Sequence, residues 1–332
     1  MSEPTLGLCA VGNALVDVIA HADEDFIKEQ KEKHGMEKGA MTLIDEVRAV
    51  GLYAEMGPGI EASGGSAANT MAGFASFGGK GGFIGKVAND PLGKVFTHDI
   101  RAMGAQYNTQ PLAIGAETGR CLILVTPDGE RTMNTFLGAS SEFGPDDIDE
   151  ELIASAKVTY LEGYLFDRAE AKQAFIKAAE TAAIAGHRVS LTLSDPFCVN
   201  RHRDDFLKLV ANHIDILFAN EDELLSLYQQ DDFETALNAV SENVEIAVIT
   251  RGPLGAVILS DGKRIDVDAQ SVTKVVDTTG AGDQFAAGFL YGFTEGMALE
   301  ECGRLGALAA AEVISHVGPR PEKKLADLAK AA

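Results

Sequence analysis

The second half of the chain restricts the fold most. Between residues 157 and 250, short β-prone runs alternate with helical ones. KVTYLEG precedes the alanine-rich stretch 168–185, and RVSLTLSD precedes 201–212. IDILFAN precedes ELLSLY and 233–242, and VEIAVIT closes the series. Strands separated in this way by helices predict crossover units, and so a parallel sheet. Further short strands are predicted at 255–260 and 264–267. A chain of 332 residues accommodates one large α/β domain with a small appendage.

The first half has a different texture. Residues 6–12 (LGLCAVG) predict a buried strand ending at glycine. ALVDVIAHAD alternates and predicts a half-exposed strand, and 24–34 predicts a charged helix. Residues 35–70 look glycine-rich and irregular, MAGFASFG has helical spacing, and GGFIGKV predicts a strand. In 117–138, Asp128-Gly129 marks a hairpin turn between two strands. The expected organisation is one domain over 1–332. A small β-rich lid comes from about 14–60 and 117–138, with 14–22 and 117–138 as its strand-rich parts. Lids of this kind exclude water from reactive sites.

DTTGAGDQFAAGF, residues 277–289, carries the most chemistry. Phe285, Ala286, Phe289, Leu290 and Phe293 have helical spacing, which puts a helix start near Gly280–Gly282. The first turn of a helix offers free N–H groups and the positive end of the macrodipole, and glycine allows close approach of a ligand. Phosphate suits such a place. A carboxylate beside it, Asp283, repels an anion but makes sense as a base taking a proton from an attacking hydroxyl. Taken alone, the stretch reads first as a plain helix entry, with Asp283 a first-turn residue favoured by the dipole.

Other classes are disfavoured. GFIGKV has Val87 where a P-loop needs Ser or Thr, and no strand ends in G-x-G-x-x-G. A formal net charge of −22 argues against nucleic acid or anionic lipid as partner. No run is long and apolar enough to span a membrane, and the first residues do not resemble a signal peptide. Cys9, Cys121, Cys198 and Cys302 form no C-x-x-C pair, which suits a reducing cytoplasm, and the seven histidines show no metal-ligand spacing.

Five elements in order resemble the ribokinase-like (PfkB) carbohydrate and nucleoside kinases: VGNALVDVI at 11–19, SGGSAANTMAGFASFGG at 63–79, NEDE at 220–223, ITRGPLGAVI at 249–258 and DTTGAGDQFAAGF. The resemblance implies a three-layer α/β/α core with a mainly parallel sheet and a β lid. It implies Asp283 as base, with Gly280, Ala281 and Gly282 as backbone anion hole, and Arg131 as a lid arginine reaching the transferred phosphate. Asp17 would accept two sugar hydroxyls, with Asn13, Gly64, Gly65 and Asn69 completing the site and Gly64-Gly65 also serving as hinge. Thr250, Gly252 and Gly255 would follow ATP, and Asn220 and Glu223 would hold Mg2+ through water. NEDE also reads as a helix start capped by Asn220. Asp277 suits a structural or monovalent-cation (K+) role.

The lid segments most resemble those of adenosine kinases, so the implied reaction is phosphorylation of a nucleoside 5′-hydroxymethyl group, adenosine first. Leu15, Phe136, Tyr164 and Leu165 would wall the base. Glu162 falls where ribokinase-type sugar kinases carry a glutamate at the sugar, so a ribose or fructose kinase stays open. A catalytically inactive nucleoside-binding protein is the alternative outside the enzymes. Oligomeric state is left between monomer and homodimer.

Overall fold

The computed structural model describes residues 3–331. Thirteen strands are formed among them: β1 Leu6–Val11, β2 Leu15–His21, β3 Met41–Leu43, β4 Gly59–Gly64, β5 Gly81–Ile84, β6 Thr118–Val125, β7 Arg131–Gly138, β8 Ala156–Glu162, β9 Arg188–Thr192, β10 Ile216–Asn220, β11 Ile246–Thr250, β12 Ala256–Ser260 and β13 Lys263–Val267. Eight of them make one sheet in the order β13-β12-β11-β10-β9-β8-β1-β5. It is parallel from β5 to β11, and β12 and β13 add antiparallel at one edge.

Successive residues of these strands enter different cores. Leu217, Ala219, Ala247 and Ile249 join a cluster with the helices Ala169–Ile184, Pro196–His213 and Phe233–Ser241. Ile216, Phe218, Ile246 and Val248 join another with Ser66–Ser76, Pro91–Ala102 and Ala281–Thr294. A sheet buried on both faces between helices is the expected three-layer core, and it requires apolar residues at both parities.

The other five strands form a second sheet, β3-β7-β6-β2-β4. Its register aligns Asp17 with Cys121, and Cys121 with Thr135. Val18, Leu122 and Leu124 point to one side and pack with Ile27 and Leu52, from the helices Glu24–His34 and Glu46–Glu55. The opposite side faces the large sheet across a cleft.

Two expectations fail here. Strand β2 is not half-exposed; only Ile19 and His21 escape full burial. One side packs on helices and the other is covered by the cleft, so polar and apolar positions alike lose solvent. Residues 35–70 are not irregular: they hold β3, the helix Glu46–Glu55, β4 and the start of Ser66–Ser76. Three residues are too few to show a period in β3, and GIEASG is a poor strand former.

Candidate functional site

Helix Ala281–Thr294 begins after Gly280, which caps it in the left-handed region at φ 79°. A Cβ there would meet the Pro319 backbone at 2.7 Å, so glycine is required for conformation and for space. Thr278 through Asp283 line a cleft of about 740 Å³ between the two sheets, the size of a small-molecule site.

Asp283, in the helix first turn, accepts from Ser66 Oγ at 2.6 Å and from Asn69 Nδ2 at 3.3 Å. Burial pushes its pKa up to about 6, against the pull of Ser66, Asn69 and Arg320. It is thus ionised at neutral pH, yet more basic than a solvated aspartate. Burial likewise raises Asp17 to about 6, with Arg320 and Arg131 pulling down. A Cβ on Gly64 would land inside the Asp17 carboxylate, and one on Gly65 (φ 97°) would strike the Asn13 carbonyl. These two glycines give the Asp17 corner its shape.

Glu162 is 1% exposed. Its Oε1 accepts from Asn13 Nδ2 at 2.7 Å and its Oε2 from Ala67 N at 2.8 Å. Helix Ser66–Ser76 starts at Gly65, which has no side chain to cap it; Glu162 fills that place from β8. Burial raises its pKa to about 7.

At the other end of the cleft lie Asn220, Glu223, Thr250 and Gly252. Asn220 Oδ1 accepts from Glu223 N at 2.8 Å and Glu223 Oε2 accepts from Asn220 N at 2.9 Å, a reciprocal capping box. The cap reading of NEDE is therefore present in the geometry, and the same two residues also line the cleft. Burial, with Asp195 and Asp222 nearby, raises Glu223 to about 7.

Asn13, Leu15, Asp17, Gly65, Asn69, Glu162, Tyr164, Asn220, Glu223, Thr250, Gly252, Gly280, Ala281, Gly282 and Asp283 all meet on this one cleft. Five expected residues are not part of its lining. Gly64 stands directly behind the Asp17 carboxylate rather than on the cleft wall. Phe136 lies on the far side of β7 because Met133, Thr135 and Leu137 take the cleft side; the Arg120 guanidinium sits 6.0 Å from its ring. Leu165, 4% exposed, belongs to the core. Gly255 (φ 84°) shapes the turn before β12, where a Cβ would strike the Val267 carbonyl. Arg131 is drawn to Asp277, with Nη1 3.0 Å from Oδ2, although the donors are not aligned for a hydrogen bond. Asp277 also accepts from Thr279 N and Gly318 N at 3.0 and 2.9 Å, which is a structural role.

Sequence reasoning gave no role to Ser66, Gln284 or Arg320. Ser66 stood inside a quoted motif; Arg320, in GPRPEK, had no period or pattern to mark it. A second cleft of about 740 Å³, lined by Lys94, His98 and Arg101 among others, holds none of the expected residues.

The profile of the pfkB family carbohydrate kinases matches residues 60–324. The chain belongs to that family. It superposes on a probable sugar kinase from Rhizobium etli CFN 42 with TM-score 0.92 and 51% identity, covering 99% of this chain and 98% of that one. It superposes on adenosine kinase from Sinorhizobium meliloti with TM-score 0.91 and 49% identity, covering 98% and 99%. Adenosine kinase of Saccharomyces cerevisiae is 28% identical over 346 residues, 97% of this chain and 98% of the relative. The fold is ribokinase-like, and the chain is an ATP-dependent sugar or nucleoside phosphotransferase. Among the described residues no helix is long and apolar enough to cross a membrane.

Proposed function

We propose that this kinase phosphorylates the 5′-hydroxyl of a nucleoside, adenosine first. The observation that carries the reading is the cleft side of the second sheet. Leu15, Cys121, Ile123, Met133 and Leu137 spread an apolar surface around Asp17. A nucleobase gains by covering such a surface, whereas a free sugar would set hydroxyls against it. The sugar reading leaned on Glu162, but both its oxygens already accept bonds from the protein.

In this reading the ribose diol donates to Asp17, and Asn69 completes the contact. Asp283 removes the 5′-hydroxyl proton as that oxygen bonds to the γ-phosphorus and the bond to the departing ADP oxygen breaks. The first-turn backbone of Gly280–Gly282 faces the phosphoryl oxygens in transit. The five-stranded sheet serves as the lid, turning at Gly64-Gly65. Mg2+, which kinases of this kind generally require, would neutralise phosphate charge near Asn220 and Glu223. No group of three or more His, Cys, Asp or Glu among the described residues forms a protein cage for it. That suits an ion held mostly by water and phosphate oxygens, and the crowded acids around Glu223 favour a cation there.

The test is ATP consumption with magnesium against adenosine, inosine, guanosine, ribose and fructose, with Asp283→Asn in parallel. Adenosine turnover is expected, and Asp283→Asn should lower kcat about 10²–10⁴-fold with KM within about tenfold. Turnover with ribose or fructose alone would overturn the nucleoside reading. An unchanged kcat in Asp283→Asn would overturn the base. Binding of adenosine without turnover of any acceptor would mark an inactive nucleoside-binding protein.

A further inference from the structure

The carboxylate of Asp283 is held by two groups from helix Ser66–Ser76, and one of them, Asn69, is itself held from an unexpected quarter. Arg320 Nε donates to Asn69 Oδ1 at 3.1 Å. Its Nη1 donates to Ser63 Oγ, and its enclosed Nη2 has no partner among the described residues. Arginine only donates, so the Asn69 atom facing it must be the oxygen. The amide nitrogen is then turned to Asp283, 3.3 Å away, which as a carboxylate only accepts.

The neighbours of Arg320 brace the same place. Gly318 N donates to Asp277 Oδ2 at 2.9 Å. Pro319 O accepts from Gln284 Nε2 at 2.9 Å, and that nitrogen also donates to Asn69 O at 2.9 Å. Pro319 also packs against Gly280 at the helix start. Residues 318–320 therefore clamp the entry of the Asp283 helix and the turn bearing Asn69 together.

We propose that Arg320 is a positioning residue for phosphoryl transfer: by fixing which end of the Asn69 amide faces Asp283, it holds the base aimed at the acceptor hydroxyl. This rests on Asp283 being the base. Charge adds a second signature. The titratable groups that bear on Asp283 are Asp17 on β2, Tyr160 and Glu162 on β8, Tyr164 just beyond it, Glu223 and Arg320. Arg320 is the cation among them and lowers the Asp283 pKa. Removing it raises that pKa, so the acid limb of the rate profile moves to higher pH.

The experiment compares wild type, Arg320→Gln and Arg320→Lys in kcat and KM from pH 5 to 9, with whichever acceptor the wild type turns over. Gln removes the charge, and Lys keeps it but loses the planar donor geometry. Both variants should lose about 10–100-fold in kcat at pH 8, as expected for a misaimed reacting group. The acid limb should move up in Gln and stay near the wild-type position in Lys. A kcat within about twofold of wild type in both at pH 8, with only the melting temperature lowered, would overturn the proposal. So would a loss seen only in KM. If Gln does not fold, kcat of Lys at pH 8 decides by the same criterion. Failure of the base assignment shows separately, as full activity of Asp283→Asn.

Discussion

The two sheets of this molecule use the same alternation of side chains for different ends. In the eight-stranded sheet both parities are packed: Leu217 and Ala219 enter one core, Ile216 and Phe218 the other. In the five-stranded sheet one parity is packed under helices and the other lines the cleft. Leu122 lies under the outer helices, whereas its neighbours Cys121 and Ile123 line the cleft. Strand position thus predicts stability effects in the first sheet, while residue parity separates stability from binding in the second.

The sharpest break in that comparison is Asp17, a charge on the ligand side of β2. Asp17→Ala should raise KM for the acceptor about 10²-fold, from loss of two charge-assisted hydrogen bonds, and leave kcat much less affected. An unaltered KM across acceptors would place the diol elsewhere.

Adjacent residues of β6 set the two faces against each other within one strand. Leu122→Ala should cost about 2–5 kcal/mol of stability and leave KM near wild type. Ile123→Ala should raise KM for a nucleoside about tenfold, from lost contact with the base. Denaturant melts beside steady-state kinetics would show whether the two effects separate; equal KM changes in both would erase the distinction between the faces.

Protons give a third contrast, between the cleft and the outer surface. Asp17 and Asp283 sit near 6, and Glu162 and Glu223 near 7, all raised first by burial. A raised carboxylate pKa means that the folded state binds the proton more tightly. That stabilisation is complete below the unfolded values, 3.8 for Asp and 4.5 for Glu, and is lost as pH rises through about 6–7. Asp128, exposed on the outer hairpin, is held down by Lys38 and Thr126 and acts in the opposite sense at lower pH. The unliganded protein should therefore melt a few degrees higher at pH 5.5 than at pH 8. Glu162→Gln should flatten the difference. A melting temperature that rises toward pH 8 would contradict the burial of these acids.

The smallest expected effect is that of Phe136→Ala, which should leave KM within about twofold, since the ring faces Arg120 rather than the cleft. A tenfold rise would restore it to the base-binding wall.

The parts of the site visible in the sequence are those where backbone chemistry dictates residue type over a few positions. DTTGAGD needs glycine at a left-handed cap and beside Pro319, and SGGSAANT needs it against Asn13 and Asp17. Such demands leave dense local patterns. The alternating strands and helices after residue 157 were equally legible, because each period is complete within one element. Phe136 was misplaced because the side a residue faces depends on register with β6, which no single strand reveals. Leu165 was misplaced because it lies in the short 3-10 helix Gly163–Asp167, where neither the strand nor the α-helical period applies. Arg320 was silent because its partners, Asn69 and Ser63, stand some 250 positions away.

The split between neighbours on β6 and β7 has a consequence for descent. Cys121, Ile123, Met133, Thr135 and Leu137 can be exchanged to suit a new acceptor while Leu122, Leu124 and Asn134, on the other side, keep the sheet folded. A lineage can then try acceptors by changing alternate codons of one hairpin. Asp283, the proposed base, borne on another sheet's helix and braced from residues 318–320, is left untouched by the search.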